Sequence, residues 1–342
     1  MSGIIGTYQS KYELFHRENE YIPLMIMMCG IPGSGKSCYA EKIRIYKKNS
    51  NDDNFLIPRI HSSDRLREEL YGDASIQGDN TELFRELHER IKTDLKNGKD
   101  VVYDATNIKT KERIQFLKEL KNISCYPICI VMATPYKVCL FNNNNRERKV
   151  PQEVIRRMYM NYCPPYYGEG FRYIHYAFYK VSNPDLKTYL NAYTVKTFFE
   201  IANLFDQENE HHALSLGEHC TKCGDYIQTQ YPDNFNLLIA ALLHDNGKLF
   251  TKTYRNSKGK FDGNCHYYQH QNVGAYDAMF YLNNDGNFRD QDICYITTMI
   301  YFHMHPYIEW KQSERCLRRD KELLGSWFDD VLAIHEADLQ AH

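Results

Sequence analysis

The chain has 342 residues, of which 43% are hydrophobic and 25% are charged, and its formal net charge at pH 7 is −2. This composition is typical of a soluble globular protein, and the length is about right for two domains. The longest apolar runs, such as Leu237–Leu243, are much shorter than the roughly 20 residues that a membrane helix needs. The N-terminus lacks the layout of a signal peptide and the 11 cysteines are irregularly spaced, so we predict a cytoplasmic protein without membrane association.

Charge and histidine are unevenly distributed along the chain. Residues 1–182, here called the first half, carry 28 Lys and Arg against 22 Asp and Glu. Residues 183–342, the second half, carry 14 against 22, and 10 of the 14 His lie at or after position 211. We place a domain boundary between the two halves, and we predict phosphate binding in the first half and metal binding in the second.

Taken in chain order, the first half alternates strand-like and helix-like segments. The predicted strands are Leu24–Cys29, Phe55–His61, Val101–Tyr103 and Ile128–Met132. The predicted helices are Lys36–Lys47, Thr81–Asn97 and Lys109–Asn122. This alternation predicts an α/β fold with a parallel sheet and helices on both of its faces.

The second half has a different pattern, in which five segments read as helices. The predicted helices are Leu186–Phe205, Leu237–His244, Gly274–Leu282, Asp292–His303 and Lys321–Gln340. We therefore expect an all-α domain after the α/β domain.

A glycine-rich segment between the first predicted strand and helix matches the phosphate-binding loop G-x-x-x-x-G-K-[ST] in full. In such a loop, backbone N–H groups and the helix N-terminus wrap the phosphates of a nucleotide. Lys36 would reach the β- and γ-phosphate oxygens, and the Ser37 hydroxyl would bind Mg²⁺. We therefore predict ATP and Mg²⁺ as cofactors. The predicted nucleotide-binding residues of the loop are Gly30, Gly33, Ser34, Gly35, Lys36 and Ser37.

Three further segments of the first half carry charged residues where such a fold exposes them. Asp64 follows the second predicted strand, so its carboxylate is expected at the carboxyl edge of the sheet, where it can accept a proton from an acceptor hydroxyl. Asp104 follows the third predicted strand, where the metal-linked acids of phosphate-binding-loop folds lie. Arg146 and Arg148 precede a helix that starts at a proline, and mobile arginines there can neutralise charge on the phosphates.

The order of these motifs resembles the phage-type 5′-OH polynucleotide kinase family. The matching segments are GIPGSGKS at 30–37, SSDRLR at 62–67, DATN at 104–107 and an arginine-rich segment that runs into VPQEVI at 150–155. The resemblance covers roughly residues 24–180. It implies that Asp64 is the general base and that Arg67 contacts a phosphate of the acceptor. It also implies that Arg146 and Arg148 belong to a lid over the nucleotide.

An adjacent His244–Asp245 pair ends an apolar helix in the second half, and both side chains can reach one metal ion if the helix end faces a cleft. Further candidates follow the order His219, His270, His303, His305 and Asp338. Such ligands suit Mn²⁺, Ni²⁺, Co²⁺, Fe or Zn²⁺, and carboxylate-rich subsets admit Mg²⁺. The lone pair Cys220 and Cys223 has no second pair nearby, so it does not predict a zinc site of its own.

This ordered set resembles the HD phosphohydrolase superfamily over roughly residues 205–342, where LSLGEH, ALLHDNGK, YYQHQNVGA and HEADLQAH resemble its segments. By position, the resemblance implies the first-metal ligands His219, His244, Asp245 and Asp338. It implies His270 and His305 as ligands toward a second metal, with His211, His212, His266 and His303 as alternates. A metal there would activate water for phosphoester hydrolysis.

The HD motif is followed by a run of cations, Lys248, Lys252, Arg255, Lys258 and Lys260. Lys248 lies one turn past the His-Asp pair and is predicted to hold a substrate phosphate. The run as a whole fits either a basic loop that faces a substrate or a solvent-exposed hairpin, and the sequence leaves both open.

Together with these features, the two resemblances imply nucleic-acid end healing, with RNA ends expected as the partner rather than DNA ends. The kinase would phosphorylate a 5′-hydroxyl, and the HD domain would remove a 3′-phosphate or open a 2′,3′-cyclic phosphate. One alternative is a nucleotide or small-metabolite kinase fused to a nucleotidase. Another is a regulatory ATP-binding module with a degenerate HD site, against which the intact Lys36, Asp64, His244 and Asp245 argue.

Overall fold

A computed structural model describes residues 22–49, 52–76, 78–179, 188, 191–208 and 214–341. Its strands are β1 Leu24–Cys29, β2 Ile45–Asn49, β3 Asp52–Leu56, β4 Arg59–Ser62, β5 Val101–Asp104, β6 Tyr126–Ala133, β7 Tyr173–Phe178, β8 Thr253–Arg255 and β9 Phe261–His266. Five of these strands form one parallel sheet in the order β4-β5-β1-β6-β7. Because the strand order reverses at the central strand β1, a ligand cleft is expected beyond the carboxyl end of β1.

Helices flank this sheet in the first half and make up most of the second half. The helices of the first half are α1 Lys36–Ala40, α2 Ser63–Tyr71, α3 Asn80–Lys96, α4 Thr110–Glu119, α5 Tyr136–Asn144 and α6 Gln152–Met160. Those of the second half are α7 Val195–Ala202, α8 Leu216–Gln230, α9 Phe235–Leu243, α10 Lys248–Thr251, α11 His270–Asp285, α12 Asp290–Phe302, α13 Glu309–Gln312, α14 Glu314–Leu324 and α15 Phe328–Gln340. Short 3₁₀ turns occupy Tyr167–Glu169 and Gly325–Trp327. The α/β fold predicted for the first half is therefore present, and the second half is helical.

Two expectations about the elements are corrected by the structure. The helix predicted for Lys36–Lys47 ends at Ala40, and the chain then forms the antiparallel hairpin β2–β3. The buried side chain of Ile45 joins the apolar cluster on one face of the sheet, so burial outweighs the helical pattern of this segment. The second half is not all-α, because β8 and β9 form a two-stranded antiparallel hairpin.

The sheet is buried on both faces, as expected for parallel strands. Alternate residues of β1 divide between two apolar clusters, with Leu24, Ile26 and Met28 in the smaller one and Met25, Met27 and Cys29 in the larger one. The larger cluster continues without interruption through α11 and α12 into the second half. One face of the sheet therefore shares its core with the helices of the second half.

Hydrogen bonds also cross from one half to the other. The Tyr276 hydroxyl on α11 donates to the Thr134 carbonyl at 2.6 Å, and the Asn272 side-chain amide donates to the Tyr162 carbonyl at 2.8 Å. The division into domains at 1–182 and 183–342 remains a prediction, since the two halves differ in fold but share buried contacts. Within the described residues, no helix has both the length and the apolar character that crossing a membrane requires.

Candidate phosphotransfer site and candidate metal centre

The phosphate-binding loop follows β1 and enters α1, as its sequence requires. Gly33 and Gly35 adopt φ angles of 84° and 90°, a backbone region that favours glycine. A Cβ atom on Gly33 would lie 2.2 Å from the Cys139 carbonyl oxygen, so α5 packs directly against the loop. The Lys36 ammonium donates to the Ile31 carbonyl at 3.0 Å and so lies across the loop.

Two residues predicted from sequence meet beside this loop. The Ser37 hydroxyl donates to a carboxylate oxygen of Asp104, at the end of β5, at a distance of 2.8 Å. A hydroxyl and a carboxylate in contact next to a phosphate-binding loop are the protein groups that hold Mg²⁺ in phosphoryl-transfer sites. Burial lowers the pKa of Lys36, while the nearby Asp104 carboxylate acts in the opposite direction.

The backbone of the loop is held by groups that the sequence analysis did not identify. The Thr134 hydroxyl donates to the Ser34 carbonyl at 2.9 Å, and the Asn142 amide donates to the Gly33 carbonyl at 2.9 Å. Thr134 is the residue whose own carbonyl accepts from Tyr276 of the second half. Since Thr134 follows β6 and Asn142 lies in α5, a search for polar residues after each strand would have found Thr134 but not Asn142.

A buried ion pair supports the segment that follows Asp104. Arg113 on α4 forms two bonds of 2.6 Å to the carboxylate of Glu169, and both side chains are 0% exposed. Arg113 also donates to the carbonyl of Asn107, whose φ of 46° places it in the left-handed region. The Asn107 amide in turn donates to the carbonyl of Met28 in β1 at 2.9 Å. This network holds the 104–107 segment against the central strand.

Asp64 lies in the first turn of α2, with its side chain about half exposed. Its carboxylate contacts Arg148 at 2.6 Å and Arg67 at 3.2 Å, so two of the predicted phosphate-contacting arginines meet the predicted general base. Arg146 points elsewhere, because its guanidinium donates to the Asn143 side-chain oxygen at 2.7 Å. The structure therefore brings Arg148, and not Arg146, to Asp64.

In the second half, five helices and the residues that flank them converge on a buried set of imidazoles and carboxylates. His219 lies in α8, His244 and Asp245 follow α9, His270 begins α11, His303 follows α12 and Asp338 lies in α15. All six side chains are at most 10% exposed. Burial of this many polar groups is costly unless they are paired or bind a metal.

The first part of this set, here called the His219 group, comprises His219, Cys223, His244 and Asp338, whose ligand atoms all lie within 4.8 Å of one another. The His219 Nε2 atom is 3.2 Å from the His244 Nε2 atom and 3.1 Å from an Asp338 oxygen. The second part, the His303 group, comprises Asp245, His270 and His303. The Nε2 atoms of its two imidazoles are 3.2 Å apart.

Asp245 lies between the two groups. Its Oδ2 atom is 3.4 Å from the Nε2 atoms of both His219 and His244, and its Oδ1 atom is 3.2 Å from the Nε2 atom of His270. One carboxylate therefore faces both groups and could contribute a ligand atom to each.

The hydrogen bonds of the imidazoles select the tautomer that a metal needs. The Nδ1 atoms of His244, His270 and His303 face backbone carbonyls at 2.7, 2.8 and 2.6 Å, and each must carry a proton to donate there. In the neutral rings the Nε2 atoms then present lone pairs, and those of His270 and His303 point at each other across 3.2 Å. Burial, together with the neighbouring imidazoles, lowers the pKa of His303 to about 3, so this ring is neutral. Facing lone pairs in a buried cluster fit a bound cation.

The absence of a side chain at Gly247 allows the turn after His244 and Asp245 to approach α11. A Cβ atom on Gly247 would lie 2.0 Å from the His270 carbonyl oxygen and 2.6 Å from the Gly274 nitrogen. The backbone after Asp245 therefore touches the first turn of α11, which places His270 beside the carboxylate.

His305 is predicted as a second-metal ligand, but the structure brings the alternate His303, and not His305, next to Asp245 and His270. His303 is oriented by its bond to the Ile300 carbonyl, whereas the His305 Nδ1 atom pairs with Asp320 at 2.9 Å. Asp320 also accepts from the Trp310 indole, so His305 belongs to a separate buried polar network. The i, i+2 spacing points the two imidazoles in different directions, which the sequence order alone does not resolve.

The cations that follow the HD motif do not act as one surface. Lys248 is buried and contacts an Asp245 oxygen at 2.6 Å and the Gln207 side chain at 2.8 Å, so it lies inside the cluster. Arg255, Lys258 and Lys260 are exposed on the β8–β9 hairpin and its turn. Of the alternate histidines, His266 pairs with Asp262, and positions 211 and 212 lie outside the described residues.

Comparison with known protein families gives a match within the first half of the chain. Residues 25–165 match the AAA_33 family, an AAA domain. Over 144 residues the chain is 26% identical to the L-seryl-tRNA(Sec) kinase of Methanococcus maripaludis. That alignment covers 42% of this chain and 53% of the relative, so the chain spans about half the length of the curated protein that it matches.

Solved structures are also similar over part of the chain. The structure of the Pnkp1/Rnl/Hen1 RNA repair complex contains a chain that is 18% identical, with a TM-score of 0.33, covering 42% of this chain and 45% of that one. A putative kinase from Chloroflexus aurantiacus is 15% identical with a TM-score of 0.36, covering 47% of this chain and 87% of that one.

The class of protein follows from the loop, the sheet and the relatives. The first half contains a P-loop kinase-like domain, for which ATP and Mg²⁺ are the implied cofactors. The family match ends at residue 165, before the imidazole and carboxylate cluster of the second half begins at His219.

Proposed function

We propose that the chain is a bifunctional end-healing enzyme that acts on nucleic acid, with RNA as the substrate. The first half would be an ATP-dependent 5′-hydroxyl kinase, and the second half a metal-dependent hydrolase of the 3′-phosphate or 2′,3′-cyclic phosphate. The observation that carries the proposal is the presence, in one chain, of a P-loop with Asp64 and Asp104 beside it and of a buried cluster of imidazoles and carboxylates centred on Asp245.

The kinase proposal assigns a task to each residue at the edge of the sheet. The loop and Lys36 would hold the phosphates of ATP, while Ser37 and Asp104 would hold Mg²⁺. Asp64 would accept the proton of the acceptor hydroxyl, since it lies at the same edge of the sheet and is partly exposed. Arg148 contacts Asp64, so its guanidinium lies next to the proposed general base. It would stabilise the negative charge that develops on the transferred phosphate.

A labelled phosphate-transfer assay tests the kinase half. Protein, labelled ATP and a 5′-hydroxyl RNA oligomer are incubated, with free nucleosides as the competing acceptor class. We expect transfer to the oligomer, and a loss of about 10²-fold or more in Asp64→Asn with ATP binding retained. Glu68→Gln, on the exposed face of the same helix, is the control and should keep its activity. Transfer to nucleosides alone would support the small-metabolite kinase instead.

The hydrolase proposal rests on the donor set of the cluster. Neutral imidazoles and two carboxylates suit a divalent transition metal, which when bound activates water for attack on phosphorus. Asp245 would hold both metal positions together, and His270 and His303 would complete the second one. Lys248, which contacts Asp245, would hold a phosphate oxygen of the substrate.

An RNA oligomer ending in a 2′,3′-cyclic phosphate tests the second half. It is incubated with the protein and each of Mn²⁺, Ni²⁺, Co²⁺, Zn²⁺ and Mg²⁺, and its ends are analysed. We expect ring opening or release of phosphate with at least one transition metal. Hydrolysis of free mononucleotides with no change to the RNA end would support the nucleotidase alternative.

A second candidate acceptor comes from the curated relative, whose name gives a seryl-tRNA as its substrate. A hydroxyl carried on an aminoacyl-tRNA would use the same Asp64 and the same P-loop. Adding seryl-tRNA to the transfer assay separates the two acceptors, because label would then appear on the aminoacyl group and not on the 5′ end of the RNA.

A further inference from the structure

We propose that Cys223 is a thiolate ligand in the His219 group and that this ligand selects Zn²⁺, Fe²⁺ or Co²⁺ over Mg²⁺ and Mn²⁺. The inference deepens the proposed hydrolase function and rests on it only in requiring a metal at this group. It gives a role to half of the lone Cys220–Cys223 pair, which on spacing alone does not predict a metal site.

The position of Cys223 on α8 brings the thiol to the cluster. His219 and Cys223 are four residues apart in one helix, so their side chains lie one above the other on the same face. Both are buried, with exposed fractions of 1% and 0%. The face that carries the first imidazole of the cluster therefore carries the thiol as well.

A contact with the helix α15 shows that the Cys223 thiol points toward the cluster. The Cys223 Sγ atom contacts the Ala337 carbonyl of α15 at 3.6 Å, and the next residue in α15 is the cluster carboxylate Asp338. The thiol thus lies where α8 meets α15. Its sulfur is within 4.8 Å of the ligand atoms of His219, His244 and Asp338.

The spacing of these atoms suits one ion. Tetrahedral ligands with bonds of about 2.0–2.3 Å lie roughly 3.3–3.6 Å from one another. The three nitrogen and oxygen atoms of the group are 3.1, 3.2 and 3.8 Å apart. The Cys223 sulfur lies within 4.8 Å of each of these atoms, and rotation of its side chain would adjust that separation.

The donor type narrows the choice of metal. Mg²⁺, Ca²⁺ and Mn²⁺ prefer carboxylate, carbonyl and water oxygens, whereas a thiolate favours Zn²⁺ and other softer ions. On binding, the Cys223 thiol would release its proton to solvent as the sulfur–metal bond forms, with no change of oxidation state. A thiolate added to the imidazoles and carboxylates of this site would therefore discriminate against hard cations.

Cobalt provides a readout that does not depend on activity. Metal-free full-length protein is titrated with Co²⁺ and its absorption spectrum is recorded, because a thiolate bound to Co²⁺ gives an intense charge-transfer band in the near ultraviolet. We expect this band in the wild type and in Cys220→Ser, and its absence in Cys223→Ser, which keeps the weaker visible bands of bound Co²⁺. We also expect Cys223→Ser to lose ~10–100-fold in Zn²⁺ affinity and to change little for Mn²⁺.

The outcomes separate this inference from the proposed function. Wild-type protein that binds Co²⁺ with visible bands but no charge-transfer band would overturn the thiolate and leave the metal centre standing. A band lost in Cys220→Ser and kept in Cys223→Ser would overturn the choice of cysteine. Wild-type protein that binds no Co²⁺, Zn²⁺ or Mn²⁺ would overturn the metal centre itself, and the thiolate with it. If Cys223→Ser fails to fold, the other two spectra still test the inference, because no band in the wild type, or loss of the band in Cys220→Ser, would overturn it.

Discussion

The residues of the phosphate-binding loop are contiguous in sequence, whereas those of the candidate metal cluster are spread over more than one hundred positions. The loop takes its groups from residues 30–37, where positive φ angles at Gly33 and Gly35 set the path of the backbone. The cluster takes its side chains from positions as far apart as His219 and Asp338, carried on separate helices. The loop is therefore fixed mainly by local conformation, whereas the cluster exists only if the helices of the second half pack correctly.

The boundary between the halves is the place where these two kinds of site meet. The helix α11 begins at His270 of the cluster and also carries Tyr276, whose hydroxyl donates to the Thr134 carbonyl. The hydroxyl of Thr134 in turn donates to the Ser34 carbonyl of the phosphate-binding loop. One of the distant residues that hold the loop, Thr134, is thus itself bonded to the second half, through the helix that also carries His270 of the cluster. The three predictions that follow test how far the two sites depend on each other.

Removal of the second half should have the largest effect. In the first half, Tyr159, Tyr162 and Tyr166 are at most 1% exposed, and they pack edge-on against Tyr276 and Phe302 of the second half. Exposing three large aromatic side chains forfeits several kcal/mol of burial, on the order of 1.5–3 kcal/mol for each. We expect residues 1–182 alone to aggregate and to lack a cooperative thermal transition, measured by circular dichroism and size exclusion. A monomeric fragment that unfolds cooperatively and is stabilised by ATP would show that the halves are independent.

Breaking the buried ion pair should have the next largest effect. Arg113→Met leaves the Glu169 carboxylate buried without its partner, which costs about 3–5 kcal/mol of unfolding free energy. It also removes the bond to the Asn107 carbonyl, so ATP binding should weaken more than metal binding. The double variant Arg113→Met/Glu169→Leu should be more stable than the single one in chemical denaturation. Equal stability of the two variants would contradict the role given to the buried charge.

A smaller, pH-dependent effect is expected at the boundary. Burial raises the pKa of Asp277 on α11 to about 7, although Tyr159 offers it a hydrogen bond that acts the other way. The unfolded carboxyl releases its proton near pH 4 and the folded one only near pH 7, so stability falls as pH rises between these values. Asp277→Asn should therefore gain stability over the wild type from pH 5 to pH 8, by on the order of 1–2 kcal/mol for this half-buried group.

Thermal unfolding at several pH values measures this difference. Asp225→Asn, at an exposed position of α8, is the control and should show no such gain. An Asp277→Asn variant whose advantage is the same at pH 5 and pH 8 would contradict the titration of this carboxyl.

The difference between the loop and the cluster also determines which features could be predicted from the sequence. The loop at 30–37 and the strand ends at Asp64 and Asp104 were predictable, because a short motif in its strand–helix context fixes the backbone and parallel strands end at one edge. The early end of α1 was not, since the burial of Ile45 depends on a sheet that is formed by distant strands.

For the candidate metal cluster, the sequence indicates which residue types take part but not which side chains point into the cluster. The order of His and Asp residues predicted a cluster, and His219, His244, Asp245, His270 and Asp338 do lie together. The choice between His303 and His305 depends on where α12 ends and on the pairing of His305 with Asp320, neither of which local sequence reveals. Cys223 is not predicted as part of the cluster because the sequence pattern predicts no helix between residues 205 and 237, so the i, i+4 relation of His219 and Cys223 is not visible.

The central claim is that one chain carries two separate centres of phosphate chemistry, and one assay tests it most directly. An RNA oligomer with a 5′-hydroxyl and a 2′,3′-cyclic phosphate is incubated with ATP, Mg²⁺ and a transition metal, and both ends are analysed for wild type, Lys36→Ala and Asp245→Asn. We predict that the wild type changes both ends, that Lys36→Ala loses 5′ phosphorylation by about 10³-fold while the 3′ end still reacts, and that Asp245→Asn does the reverse. Loss of both reactions in either variant, in protein that remains folded, would contradict two separate centres.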